Sequence, residues 1–170
     1  SLDMAAVDPD SDAGKADWGK LLEKVLPYVD YFVPSAEEIC FMADRPRYEE
    51  WMTRAAGGDV TSVISVEEDI RPLAKRVLDM GASSLLIKCG APGMYFTDGK
   101  KEIFERSYKP DRVLSGTGAG DTSIAAFLKA RMEGRSTEES LHLAAATGAS
   151  CVEAYDALGG LRSFEELERG

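Results

Sequence analysis

The chain has one histidine, His142, and three cysteines, Cys40, Cys89 and Cys151, far apart in its 170 residues. A single imidazole nearly excludes a His-based catalytic triad, which would have to use His142, and a multi-His metal site. An odd number of cysteines, each inside an apolar stretch, fits buried thiols of a reducing cytosol better than a disulfide frame or a zinc site. No apolar run approaches the roughly 20 residues that cross a bilayer, and no basic-then-apolar segment opens the sequence. Clustered Lys and Arg are lacking too: 20 basic residues face 30 acidic ones, for a formal net charge of -10. Nucleic-acid binding needs a basic surface, so that class is excluded along with a membrane partner. What remains is the ordinary mixture of a folded domain, with 44% hydrophobic and 29% charged residues, long enough to bury a core. One domain over residues 1–170 is the expectation, located in the cytoplasm.

Ser1-Leu2-Asp3-Met4 alternates like the end of a strand and reads as part of something longer. Asp17 caps a helix carrying Trp18, Leu21, Leu22, Val25 and Leu26 at helical spacing, stopped by Pro27. Tyr31-Phe32-Val33 is a short buried strand. Helices follow over Ser35–Ala43 and Tyr48–Ala56, broken at Gly57-Gly58, and another ends near Met80 before Gly81. Ser84–Cys89 is a buried strand. Met94–Thr97 and Glu102–Tyr108 flank Asp98-Gly99 as a hairpin, and Arg112–Ser115 is a last strand. Helices over Asp121–Glu133 and from the Ser136 cap to Glu153 come next, the second with a small-residue face of Ala144, Ala145, Gly148 and Ala149. A short helix starts at Ser163. Strands alternating with helices imply a layered α/β fold with much of its sheet parallel.

The most informative segment is Ser115-Gly-Thr-Gly-Ala-Gly-Asp121. Closely spaced glycines let backbone N–H groups converge, and the following helix adds unpaired donors and a positive dipole end. Together these form a hole for a phosphate. A carboxylate beside a phosphate needs another task, and accepting a proton from an alcohol during phosphoryl transfer supplies one. The plainer reading makes Asp121 a helix cap and the glycines a tight turn. No GxxxxGK[ST] occurs, which excludes a P-loop, and G-x-G-x-G is a poor match to the dinucleotide pattern G-x-G-x-x-G.

This loop, with Ile124-Ala-Ala-Phe-Leu128 behind it, closely resembles the signature of the ribokinase-like (PfkB) carbohydrate kinases. Tyr31-Phe-Val-Pro-Ser-Ala-Glu-Glu38 resembles the family strand that leads to its N-x-x-E motif, with Ser35 in place of Asn. Lys88-Cys-Gly-Ala-Pro-Gly93 resembles its G-x-x-G turn, and Leu143–Ala149 its adenine-side helix.

The resemblance implies a three-layer α/β/α sandwich with a mostly parallel sheet, of which this chain is the C-terminal part, without the N-terminal strands and the lid. It implies ATP and Mg²⁺ as cofactors and a sugar as small-molecule substrate. Asp121 becomes the base, and the N–H groups of Gly118, Ala119 and Gly120 the anion hole. Lys88, Gly90 and Gly93 line the nucleotide side, Ala145 and Gly148 lie against the base, and Glu38 organises the metal through water. Ser35 with Glu38 is equally a capping box, a pattern repeated at Ser65/Glu68, Ser136/Glu139 and Ser163/Glu166. Ser115 stands where many members carry Asp near a monovalent cation, so the resemblance leaves potassium activation in doubt. Specificity in the family resides largely outside this segment, so a nucleoside acceptor stays open. So does a nucleotide-binding, non-catalytic fragment completed by a partner chain or a second copy. His142 has mixed neighbours and reads as a packed or surface residue.

Overall fold

The computed structural model describes residues 1–169. The chain forms two compact units, Ser1–Phe104 and Glu105–Gly170.

In the first unit, α1 (Trp18–Val25) starts where Asp17 accepts the Lys20 N–H, and it turns Leu22 inward while Leu21 and Val25 stay exposed. α2 (Ala36–Ala43) is almost entirely buried behind a complete capping box at Ser35 and Glu38. Asp44 ends it and at once caps α3 (Arg45–Ala55), which has Pro46 in its first turn, where a missing N–H is harmless. Ala56 closes α3 in a left-handed conformation, one residue before the glycine pair. A π-helical turn at Val66–Ile70 feeds α4 (Arg71–Asp79), whose Leu73, Ala74 and Val77 face the core.

The sheet of this unit contains β1 (Leu85–Lys88), β2 (Gly93–Thr97) and β3 (Glu102–Arg106), in that order. Parallel to β1 lies the Phe32 segment, and beside it the Leu2 segment. They join through single bridges Leu2–Phe32, Phe32–Leu85 and Ser35–Lys88. Pro34 lacks an N–H, which helps keep this pairing short. The β1–β2 ladder is antiparallel, a local departure from the mostly parallel expectation. Its cause is the short connection between Lys88 and Gly93, which can only reverse the chain, because a parallel return needs a crossover. Phe32, Ile39, Trp51, Ile70, Leu73, Leu85, Ile87 and Tyr95 meet in the core.

One carboxylate inside this unit carries an unusual share of its polar bonding. Asp69, 3% exposed, accepts Trp51 Nε1 at 2.9 Å, Arg54 Nη1 at 2.9 Å, Arg54 Nη2 at 3.1 Å and the Ser65 N–H at 2.7 Å. Burial pushes its pKa up, but the Arg54, Ser65 and Trp51 donors outweigh that and hold it below the usual carboxylate value.

The second unit contains α5 (Ala119–Met132), α6 (Thr137–Cys151) and the short α7 (Phe164–Leu167). α5 and α6 pack as an antiparallel pair, burying Ile124, Phe127 and Ala130 from one and Leu141, Ala144 and Ala145 from the other. Two expectations are corrected here. Arg112–Ser115 forms no strand. Leu114 and Ser115 instead give their N–H groups to one carbonyl, that of Val152, at 2.8 and 3.3 Å. And α5 begins at Ala119, two residues ahead of Asp121.

Asp69→Ala leaves the Trp51 and Ser65 N–H groups without their acceptor and Arg54 with only the Val63 carbonyl and the Glu50 carboxylate, and we expect a loss of about 3 kcal/mol, the low end for breaking a buried pair because Arg54 is partly exposed. Since the folded pKa of Asp69 lies below its unfolded value, its contribution is complete above that unfolded value, near 4. It disappears as pH falls through the lower folded one. Urea titrations of wild type and variant at pH 7 and pH 3 check this: the gap between them must shrink at the lower pH.

Candidate active site

The glycine loop of the second unit is built around Gly118. Its φ of +82° lies in the left-handed region, and a Cβ there would lie 2.6 Å from the Cβ of Ala157. Both conditions call for glycine. Gly118 is the N-cap of α5, so the first helical turn contains Ala119, Gly120 and Asp121.

Position decides what these residues can do. Ala119 gives its N–H to the Gly116 carbonyl at a long 3.3 Å, and the N–H groups of Gly118, Gly120 and Asp121 find no protein acceptor among the described residues. The helix therefore opens with its positive end and free donors toward solvent, the arrangement that takes an anion. Asp121 is exposed and makes no capping bond. Its carboxylate has no hydrogen-bond or ion-pair partner among the described residues. The reading of Asp121 as an N-cap is thereby excluded, because Gly118 occupies that position.

Behind the loop, two hydroxyls turn back on the first turn. Thr122 Oγ1 donates to the Gly118 carbonyl at 2.9 Å, and Ser123 Oγ to the Ala119 carbonyl at 2.7 Å. Sequence reasoning passed over both, although Ser and Thr in the first turns of a helix commonly bond carbonyls three or four residues back. Gly148 of α6 abuts this turn: a Cβ on it would lie 2.3 Å from Ser123 Oγ. Ala145 is 3% exposed. Cys151 lies beneath, its thiol 3.4 Å from the Ala157 carbonyl. An open cleft of about 490 Å³ in the same unit is lined by Arg112, Leu114, Glu153, Tyr155 and Arg162, among others.

His142 has company that the sequence did not disclose. It hydrogen-bonds the Tyr108 hydroxyl, and its Nδ1 lies 3.5 Å from Glu105 Oε1, with the two rings edge to face at 5.2 Å. Burial, then the Glu105 charge, raises the Tyr108 pKa. The cluster ties the 105–108 segment to α6.

The remaining candidates belong to the first unit. Asp3, Ser35 and Lys88 lie at the C-terminal ends of the three parallel segments, and Glu38 follows in the first turn of α2. That end of a parallel sheet is where α/β proteins bind ligands. Lys88 Nζ bonds Asp3 Oδ1 at 3.0 Å and Oδ2 at 3.2 Å, so the anion that a lysine ending a buried strand requires is a carboxylate of this chain. Glu38 Oε2 accepts the Ser35 N–H at 2.8 Å, completing the capping box and leaving Oε1 open. Gly90 and Gly93 close the β1–β2 turn, where the Gly93 N–H meets the Gly90 carbonyl at 3.1 Å. Gly90 has a φ of +67°, and a Cβ on it would lie 2.9 Å from Thr61 Cγ2.

The sequence profile of the pfkB family of carbohydrate kinases matches residues 5–162, and the chain belongs to that family. An uncharacterised sugar kinase of Archaeoglobus fulgidus is 28% identical over 162 residues, which is 94% of this chain and 54% of that protein. The structure of Arabidopsis thaliana ribokinase complexed with ribose and ATP superposes with a TM-score of 0.70 at 24% identity, over 86% of this chain and 42% of that one. A provisionally assigned ribokinase II from E. coli, in complex with ATP and Mg²⁺, gives 0.65 at 23% identity over 88% and 41%. The fold is ribokinase-like, and the chain spans about half the length of these proteins.

Gly118→Ala must strain the backbone, by about 1–2 kcal/mol for a left-handed L-residue, and push Ala157 aside. Chemical denaturation followed by far-UV circular dichroism is expected to show at least that loss. Gly116→Ala, with nothing within 4 Å of its added Cβ, is the comparison and stays within about 1 kcal/mol of wild type.

Proposed function

We propose that this chain is the nucleotide-binding and catalytic portion of an ATP-dependent carbohydrate kinase, moving the γ-phosphoryl group of ATP to a sugar hydroxyl. The observation that carries this is the start of α5, where free backbone donors stand next to a carboxylate without a partner. A first-turn acid also suits the helix dipole, but this one is tied to no donor of its own helix. Family membership points the same way.

Asp121 is the base in this reading. An unpartnered, exposed carboxylate is free to take the proton of an incoming hydroxyl as its oxygen becomes nucleophilic. The N–H groups of Gly118, Ala119 and Gly120 hold the charge that develops on the transferred group, Ala119 first releasing the Gly116 carbonyl. The Gly118 and Gly120 donors have no protein bond to break, so they cost little reorganisation.

Bound ATP with its Mg²⁺ would supply the activated phosphoryl group and neutralise charge between phosphates. The residues fit that pair. Glu38 Oε1 is open, and an ion carried on phosphates is reached through water. Glu38, with Oε1 free of the capping box, is the water-mediated contact. Lys88, Gly90 and Gly93 are assigned to the nucleotide, Lys88 exchanging Asp3 for a phosphate. Buried Ala145 and tightly packed Gly148 shape the α6 flank by packing.

Asp121→Asn is expected to abolish ADP release from MgATP across a sugar panel and to keep the affinity for an ATP analogue within about threefold. Its stability shifts by less than about 1 kcal/mol, the scale of a helix-dipole charge. Turnover retained by the variant would remove the base from Asp121. Analogue binding without ADP release by the wild type would instead make this half-length chain a nucleotide-binding part that needs a complementing chain or a second copy.

A further inference from the structure

We propose that Ser123 is a positioning residue that sets the direction of one anion-hole donor, the Gly120 N–H, with Gly148 providing the space it needs. The inference rests on reading the loop as an anion hole and adds a residue to that reading. A peptide group is planar, so the Ala119 carbonyl and the Gly120 N–H turn together. Ser123 Oγ holds that carbonyl from behind at 2.7 Å. Thr122 Oγ1 does the same for the neighbouring plane, Gly118 carbonyl with Ala119 N–H, at 2.9 Å, and reaches the Ala119 carbonyl only at 3.2 Å. Each hydroxyl thus anchors one donor-bearing plane.

Ser123 is 2% exposed, so its hydroxyl cannot swing away to water. What confines it is α6. A Cβ at Gly148 would lie 2.3 Å from Ser123 Oγ but 3.5 Å from the Ala119 carbonyl and 3.7 Å from Ser123 Cβ. The hydroxyl therefore fills the place where any other residue at 148 would put a side chain. Glycine in mid-helix costs stability, and here the cost leaves room for an oxygen that turns a peptide plane.

A double-variant cycle separates this role from simple packing. Gly148→Ala alone overpacks the hydroxyl and lowers Tm. Ser123→Ala alone removes the anchor. Combined, the new methyl at 148 meets only ordinary contacts, and Tm returns to the wild-type value or above. Packing is then restored and the anchor is still missing. In ¹H–¹⁵N spectra of the unliganded chain, the Gly120 amide is expected to move in Ser123→Ala and in the double variant alike, while amides in the last turns of α5 stay in place. In the kinase assay the double variant has kcat lowered about tenfold with the sugar KM unchanged, less than loss of a whole oxyanion donor because the N–H is turned rather than removed.

A Gly120 amide at its wild-type position in the stable double variant overturns the proposal, whatever the kinetics. A shifted Gly120 amide in a protein whose wild type releases no ADP keeps the positioning role and rejects the kinase reading instead. Should Ser123→Ala alone fail to fold, the double variant, with its cavity filled, carries the same test.

Discussion

The geometry of the glycine loop depends on one backbone constraint: Gly118 must be left-handed and must touch Ala157. That contact fixes the point at which the chain stops being loop and becomes helix. Had α5 begun at Asp121, the carboxylate would have been spent on the helix's own N–H groups. Starting at Ala119 puts Asp121 in the first turn, where its carboxylate makes no capping bond, and leaves the donors of Gly120 and Asp121 open. The segment 154–160 and the end of α6 supply the surface on which this happens. Val152 takes the N–H groups that lead into the loop, and Ala157 blocks any side chain at 118.

Two aspartates show how environment divides labour within one sequence. Asp69 is buried and accepts four hydrogen bonds from Trp51, Arg54 and Ser65, which hold it ionised and fix α3 against the turn that precedes α4. Asp121 is exposed and accepts none from the described residues. A carboxylate fully occupied by the protein is structural. One that the protein supplies with no donor is available to a substrate. Glu38 lies between the two, with one oxygen engaged in its capping box and the other open, the same arrangement that Glu139 has at Ser136.

Most helices were legible because their signals are local. Asp17, Ser35, Ser136 and Ser163 each accept the backbone bond that their spacing implied, and the Leu73–Val77 face is buried as its periodicity requires. The Arg112–Ser115 strand was misread because β-branched and aliphatic residues favour strands without supplying a partner strand, and here the N–H groups go to the end of α6. The loop's open backbone was readable from its glycines. Its support was not, because the Ser123–Gly148 contact joins residues from two helices, and no local pattern announces which glycine on a small-residue face makes room for which hydroxyl. The Tyr108–His142 contact escaped for the same reason.

The ion pair between Asp3 and Lys88 joins residues 85 positions apart, across the Phe32 segment that pairs with both sides. A parallel arrangement of this kind closes large loops before any contact rewards them, so it forms late. The α5–α6 pair needs only the short turn between Met132 and Thr137. The helix pair can therefore assemble locally, while the Leu2 segment waits, its edge unpaired, until the strand ending at Lys88 is in place. Edge-to-edge aggregation during folding is thus a hazard of the first unit and not of the helix pair.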